Sequence, residues 1–257
     1  MTPISNNEIK RLKSLQQKKF RDEYGVFAVE GEKMVEEALH SPFLVDAVYR
    51  KDEIGDDAMK RITALASPSP AFAVVRKPAD IYVEDPAALR TLLKNGGLFL
   101  GLDTIRDPGN LGTILRIAEW FGIDAVFAAK DSVDVFNPKV VQATMGAIFR
   151  VKMHYVDLPA LSKLILQEGG QIYGTFLDGR NIYGRELATG EDFPVMIVIG
   201  NESEGISDKM ASLTTDRLYI PPYPADNPGS ESLNAAVATA VTVAEFRRRN
   251  HITNNLK

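Results

Sequence analysis

The chain has 257 residues, of which 45% are hydrophobic and 25% charged, and its 30 basic and 34 acidic side chains give a formal charge of −4. That composition supplies a folded core for one large domain or two ordinary ones and excludes a disordered chain. The absence of cysteine excludes a disulfide framework and any thiolate chemistry, and it fits a reducing, cytoplasmic setting.

The opening stretch MTPISNNEIKRLKSL lacks the apolar run of a secretory signal, and no segment approaches the roughly 20 apolar residues of a membrane span. Residues 5–20 predict a short amphipathic helix, with Ser5 or Asn6 as cap and Ile9, Leu12 and Leu15 at three-residue spacing. Val26–Val29 reads as a strand, Gly31–Leu39 as a helix ending before Pro42, Leu44–Tyr49 as a strand, Asp56–Leu65 as a helix and Phe72–Val75 as a strand. Ser67-Pro68-Ser69-Pro70 is a turn signal within this series. The alternation predicts a small α/β module. Lys94-Asn95-Gly96-Gly97 then breaks the chain, which divides the sequence into residues 1–95 and 96–257.

In the second part, strands are predicted at Leu98–Leu102, Ala125–Ala128, Lys152–Tyr155, Ile172–Leu177, Val195–Ile199 and Arg217–Ile220. Helical patterns fall at Leu111–Phe121, Pro138–Ile148, Leu158–Gln167 and Asp208–Leu213, and an Ala-rich helix runs from about Leu233 to Arg249. Near-continuous apolar strands separated by helices predict an α/β fold with a mostly parallel sheet covered on both faces.

Ligands of such sheets bind at the carboxyl ends of the strands, and three loops there carry unusual residues. The first is Asp103-Thr104-Ile105-Arg106-Asp107-Pro108-Gly109-Asn110-Leu111-Gly112, which leads into a helix with Arg116 and Glu119. Gly and Pro there would let backbone amides approach a ligand at a helix amino terminus. Its Gly-x-x-Gly spacing is not the dinucleotide fingerprint, which disfavours a nicotinamide-dependent oxidoreductase. The second loop, Gly200-Asn201-Glu202-Ser203-Glu204-Gly205, places an amide and two carboxylates between glycines at a strand end, where a purely structural use explains little. In the third, Leu218-Tyr219-Ile220-Pro221-Pro222-Tyr223 followed by Gly229-Ser230-Glu231-Ser232-Leu233-Asn234, Ser232 suits a helix cap, whereas Asn234 inside an Ala/Val-rich helix is unexpected because Asn is a poor helix former.

Taken in order over residues 98–250, these loops resemble the three motifs of the TrmH/SpoU family of RNA 2′-O-ribose methyltransferases. The amino-terminal segment, whose first strand ends in Val29-Glu30-Gly31, resembles the L30e-type substrate-binding domain often fused to such enzymes. The resemblance implies the SPOUT fold, a catalytic domain with a deep trefoil knot, which periodicity does not suggest because knots are almost absent among proteins. It implies S-adenosylmethionine as methyl donor, held largely by backbone at Phe176, Gly200, Ile220 and Leu233, and a homodimer with active sites at its interface. No metal is needed, because a sulfonium is already a good leaving group.

The family likeness also assigns catalytic roles. Arg116 would help activate the ribose hydroxyl. Because Arg holds its proton firmly, a more conservative role is to bind the adjacent phosphate and stabilise the developing oxyanion. Asn110 and Asn234 would orient substrate or the Arg, Glu202 would pair with Arg116 or another Arg, and Ser232 would hydrogen-bond near the ribose. His40, His154 and His251 lie outside the motif loops and read as structural or exposed. The stretch Pro221–Glu231 looks longer than usual for the family, which leaves backbone contacts beyond Ile220 open.

An acidic total argues against bulk electrostatic binding of nucleic acid, so shape should contribute to recognition. The basic runs Lys10–Arg21 and Arg247–Arg249 read either as solvated helix faces or as RNA contacts, with Lys10, Arg11, Lys18 and Lys19 the candidates for phosphate. Ribosomal RNA is the preferred substrate. Transfer RNA, a single ribosomal nucleotide protected in drug resistance, and a non-catalytic RNA-binding role are the rivals; a binding protein has no need of all five catalytic candidates.

Overall fold

The computed structural model describes residues 4–224 and 232–254, without the side chains of 249–254. The chain forms two compact units: one runs to Ala79 and takes in Asp134–Arg150, and the other comprises Asp80–Val133 and the chain from Val151 onward.

In the first unit α1 (Asn6–Ser14) and α2 (Lys18–Tyr24) precede β1 (Val26–Glu30), α3 (Glu32–Leu39), β2 (Val45–Arg50), α4 (Lys51–Ile54), α5 (Asp56–Ile62) and β3 (Ala71–Arg76). The three strands form an antiparallel sheet in the order β1-β3-β2. Ile9, Leu12 and Leu15 are buried against Val26, Met59, Ile62 and Phe72, so the three-residue spacing marked the core face. The single helix expected over 5–20 is broken at Leu15–Gln17. The Leu15 carbonyl, which a continuous helix would use internally, instead accepts from Nη1 of Arg21 at 2.8 Å. Arg21 is not part of a basic surface: its side chain is only 2% exposed and paired with Asp134 at 2.6 Å.

Asp134 introduces the segment that the later chain returns to this unit. It carries α8 (Pro138–Thr144) and a 3-10 turn at Ala147–Phe149 in place of the one helix expected to Ile148. Phe136 packs on Phe27 and Phe149 on Phe43.

The second unit holds α6 (Pro86–Leu93), β4 (Gly97–Leu102), α7 (Pro108–Trp120), β5 (Ala125–Ala129), β6 (Met153–Val156), α9 (Leu158–Gln167), β7 (Gln171–Asn181), β8 (Pro194–Ile199), α10 (Asp208–Ala211), β9 (Asp216–Tyr219) and α11 (Ala235–Asn254). Its six strands pair in parallel in the order β6-β5-β4-β8-β7-β9, as the apolar strand runs predict. Phe99, Phe127, Ile172, Met196 and Val198 form one core with α6, α9 and α10. The alternate residues Leu98, Leu100 and Leu102 of β4 are equally buried, and α7 and α11 pack together. Both faces are therefore covered. Helix α6 has no counterpart in the sequence reading. It packs on α9, so the compact units divide after Ala79, before the break at residues 94–97.

Helices start where an Asx side chain caps a proline-led first turn: Asp85 before α6, Asp107 before α7, Asn137 before α8 and Asp157 before α9. From β4 the chain moves outward to β5 and β6, then crosses to the other side of the sheet for β7, with β8 entering between β4 and β7. The β4/β8 boundary is thus a point where strand order reverses, the place where open parallel sheets bind ligands.

Candidate active site

A cavity of about 510 Å³ opens beyond the carboxyl ends of β7, β8 and β9 and is closed by the start of α11. Its wall takes Thr175–Leu177 from β7, Ile199–Gly205 after β8, Leu218–Ile220 from β9, and Ser232, Leu233, Ala235 and Ala238. All four residues expected to hold the donor, Phe176, Gly200, Ile220 and Leu233, line it, as do Glu202 and Ser232. Most of Pro221–Glu231, the stretch expected to be long, lies outside the described residues.

The loop after β8 is folded back on itself. Asn201 and Gly205 pair in both directions through their backbones at 2.9 and 3.0 Å. The Asn201 side chain, buried, donates to the Thr104 carbonyl at 2.8 Å and accepts from the amides of Ser203 and Glu204. This ties the loop to the end of β4. Gly200 is required by close approach: a Cβ there would meet the Gly205 carbonyl carbon at 2.2 Å. Asp103, also buried, accepts from the Ser207 amide at 2.7 Å and ties the loop's far end to the same strand.

Three of the motif residues form one hydrogen-bonded chain. Nδ2 of Asn234 donates to Oδ1 of Asn110 at 2.8 Å, and Nδ2 of Asn110 donates to Oε1 of Glu202 at 2.8 Å. One residue from each of the three loops is thereby joined at the cavity's edge. Two expectations change. Asn234 lies before the helix and not inside it: its Oδ1 accepts from the Ala236 and Val237 amides, so Asn234 is the cap of α11 and Ser232 is not. The α7 amino terminus does not line the cavity, and the Asn110 amide is already satisfied by Asp107 at 2.8 Å.

Arg116 sits on the exposed face of α7 with Thr113 and Trp120 and is not part of the cavity wall. Its expected pairing with Glu202 is not made within the chain; Glu202 is engaged by Asn110. Of the other basic candidates, Arg11 forms a bidentate pair with Glu8, Lys18 pairs with Asp22 at 2.6 Å, Lys19 lies 5.7 Å from the Phe20 ring, and Lys10 is exposed. In the second basic run Arg247 donates to the carbonyls of Phe121 and Gly122 and Arg248 pairs with Glu245, while the Arg249 side chain lies outside the described residues. Among the described side chains, no histidine lines the cavity: His154 is buried with Nδ1 2.7 Å from the Asp80 carbonyl, and His40 is exposed.

Sequence reasoning missed Arg217 and Asp178. Arg217 stacks over the Phe176 ring at 3.6 Å and pairs with Asp178 at 2.5 Å. No motif signals them, because the contact depends on how β7 departs from β9.

The cavity suits S-adenosylmethionine. Its volume falls within the roughly 300–1,000 Å³ of small-ligand sites, Phe176, Leu177, Leu218 and Leu233 offer apolar surface to the adenosine, and Glu202 and Glu204 bring carboxylates toward a sulfonium. Among the described residues there is no group of three or more His, Asp or Glu that could hold a metal ion, and no helix long and apolar enough to cross a membrane.

Residues 97–244 match the model of the SpoU rRNA Methylase family, and residues 6–76 match that of the MRM3-like substrate binding domain. The chain is 33% identical to the Bacillus subtilis 23S rRNA (guanosine(2553)-2′-O)-methyltransferase RlmP, over 94% of this chain and 96% of that protein. It superposes on a TrmH-family protein from Porphyromonas gingivalis with a TM-score of 0.80 at 38% identity, covering 96% and 99% of the two chains. For the AdoMet-bound rRNA methyltransferase from Sinorhizobium meliloti the TM-score is 0.82 at 27% identity, with 97% of each chain covered. The chain belongs to the SpoU rRNA Methylase family and is an S-adenosylmethionine-dependent RNA 2′-O-ribose methyltransferase.

Proposed function

We propose that the enzyme methylates a ribose 2′-hydroxyl of ribosomal RNA, with Asn110, Arg116, Glu202, Ser232 and Asn234 as its catalytic set. The observation that carries the assignment is the Asn234–Asn110–Glu202 chain, which joins three loops beside a donor-sized cavity. Ribosomal RNA is favoured by the Bacillus subtilis relative, named for methylation of 23S rRNA.

The donor supplies an electrophilic methyl group on a sulfonium. The chain's own residues must place the ribose oxygen and accept its charge. Ser232, at the cavity wall, hydrogen-bonds the ribose. Glu202 is aimed by Asn110, which is aimed in turn by Asn234, and the capping role of Asn234 fixes that end to α11. Arg116 binds the adjacent phosphate and stabilises the oxyanion.

The active form is a homodimer on this proposal. Arg116 lies outside the cavity wall of its own chain, and Trp120, one turn further along the same face of α7, is 84% exposed. A second copy on that face would cover an exposed aromatic side chain and bring the partner's Arg116 to the cavity. Helix α11 packs on α7, and on this proposal the catalytic unit carries the trefoil knot that the family resemblance implies. The first unit, with Lys10, Arg11, Lys18 and Lys19, provides RNA contact.

Tritiated S-adenosylmethionine and total RNA from cells lacking the enzyme provide the test. Label confined to one large-subunit ribosomal RNA supports the proposal, and label in transfer RNA with none in ribosomal RNA overturns it.

A further inference from the structure

Strand β7 departs from its partner just where it meets the cavity. Thr175 and Arg180 both stand opposite Leu218 of β9, so Phe176–Gly179 form a four-residue excursion without ladder bonds to β9. Phe176 and Leu177, which line the cavity, both lie on this excursion, and Leu177 is 69% exposed. Unpaired backbone carrying a half-buried and an exposed apolar side chain would be mobile unless something tied it down.

The tie is Arg217. From the neighbouring strand its guanidinium carbon lies 3.6 Å from the centroid of the Phe176 ring, and Nη2 donates to Oδ1 of Asp178 at 2.5 Å. One side chain thus grips the excursion at two points, by stacking and by a charge-assisted hydrogen bond. Gly179 brings the chain back: a Cβ there would meet the Leu218 carbonyl carbon at 2.6 Å, so the return is pressed onto β9 backbone. Arg217 itself is not part of the cavity wall.

We propose that Arg217, held by Asp178, is a positioning residue for the methyl donor, setting the Phe176–Leu177 wall on which the donor's adenosine packs. Its positive charge is matched locally by Asp178, so it acts through the ring and not as a charge on the sulfonium. Two consequences separate this from a general structural role. Donor and neutral product lose affinity equally, and the loss vanishes once the Phe176 ring is gone.

The inference rests on the cavity being the donor site, and calorimetric titration with S-adenosylmethionine and S-adenosylhomocysteine, without RNA, tests both. For Arg217→Ala the expected loss is about 5- to 30-fold for each ligand, the range of a partly desolvated cation–π contact. Arg217→Lys keeps the charge but not the planar stack and should lie nearer to Ala than to the native enzyme. Asp178→Asn, at a side chain 74% exposed, gives a smaller loss in the same direction and serves if Arg217→Ala does not fold. Phe176→Ala with and without Arg217→Ala should bind alike within about twofold, the mark of shared action. Native affinity in both Arg217→Ala and Asp178→Asn, or losses that multiply in the double variant, would overturn the proposal. Failure of the native protein to bind either ligand would remove the donor site, and this inference with it.

Discussion

Asn110→Ala isolates the hydrogen-bonded chain at the cavity's edge. Asn110 is 8% exposed, and its side chain both accepts from Asn234 and donates to Glu202, at 2.8 Å each. Truncation leaves α7 capped, because Asp107 bonds the backbone amide of residue 110 and not its side chain. Two partners, Asn234 and Glu202, each lose a part-buried hydrogen bond. A neutral hydrogen bond contributes about 0.5–1.5 kcal/mol and one to a charged group about 1.5–3 kcal/mol. The neutral bond, to Asn234, falls mainly on folding stability. The charged one, to Glu202, falls on the transition state if the carboxylate must be aimed, which corresponds to about a 10- to 150-fold drop in kcat/KM. Asn110 does not line the cavity, so donor affinity should change by less than about threefold, the scale of a few tenths of a kcal/mol. Single-turnover methylation and donor titration read the two quantities separately. Unchanged kcat/KM, or lost donor binding with the rate at saturation intact, would rule out this role for Asn110.

Asp134→Ala leaves the Arg21 guanidinium buried without its carboxylate and should destabilise the protein by about 3–5 kcal/mol, read as a lower urea midpoint for the first unit. Glu30→Gln should change the pH dependence of stability. Burial raises the Glu30 pKa, against the lowering effect of hydrogen bonds from Thr63 and the Ala64 amide. A raised folded-state pKa makes the native protein hold this proton more tightly than the unfolded chain does. Its stabilising share is full below the unfolded value and is lost as pH rises through the folded one. Thermal melts between pH 4 and 7 should therefore show the native protein losing ground to Glu30→Gln as pH rises, on the order of a kcal/mol per pKa unit. Parallel curves would contradict this.

The parallel sheet was legible because strands buried on both faces read as apolar runs, and the three motif loops because they sit at strand ends; the residues proposed for the donor follow from the family resemblance, and they line the cavity. What escaped depended on distant contacts. The break at Leu15–Gln17 follows from Arg21 claiming a main-chain carbonyl, and Arg21 resembles a surface cation until Asp134, 113 residues away, is beside it. Helix α6 is only eight residues long, yet Asp85-Pro86 carried the same cap signal as Asp107-Pro108 and was open to recognition. Asn234 stands out in the sequence as a misfit within a helix, yet it is the cap at the helix's start. Arg217 and Asp178 left no trace in spacing, since a register shift in β7 creates their contact.

Methyl transfer to a ribose hydroxyl has a direct chemical readout. Its most direct measurement is nucleoside analysis by mass spectrometry of ribosomal RNA incubated with S-adenosylmethionine and either the native enzyme or Arg116→Ala. The native enzyme should give one 2′-O-methylated nucleoside, lost with Arg116→Ala while donor binding persists. A methyl group on a base, or full ribose methylation by the Arg116→Ala enzyme, would contradict it.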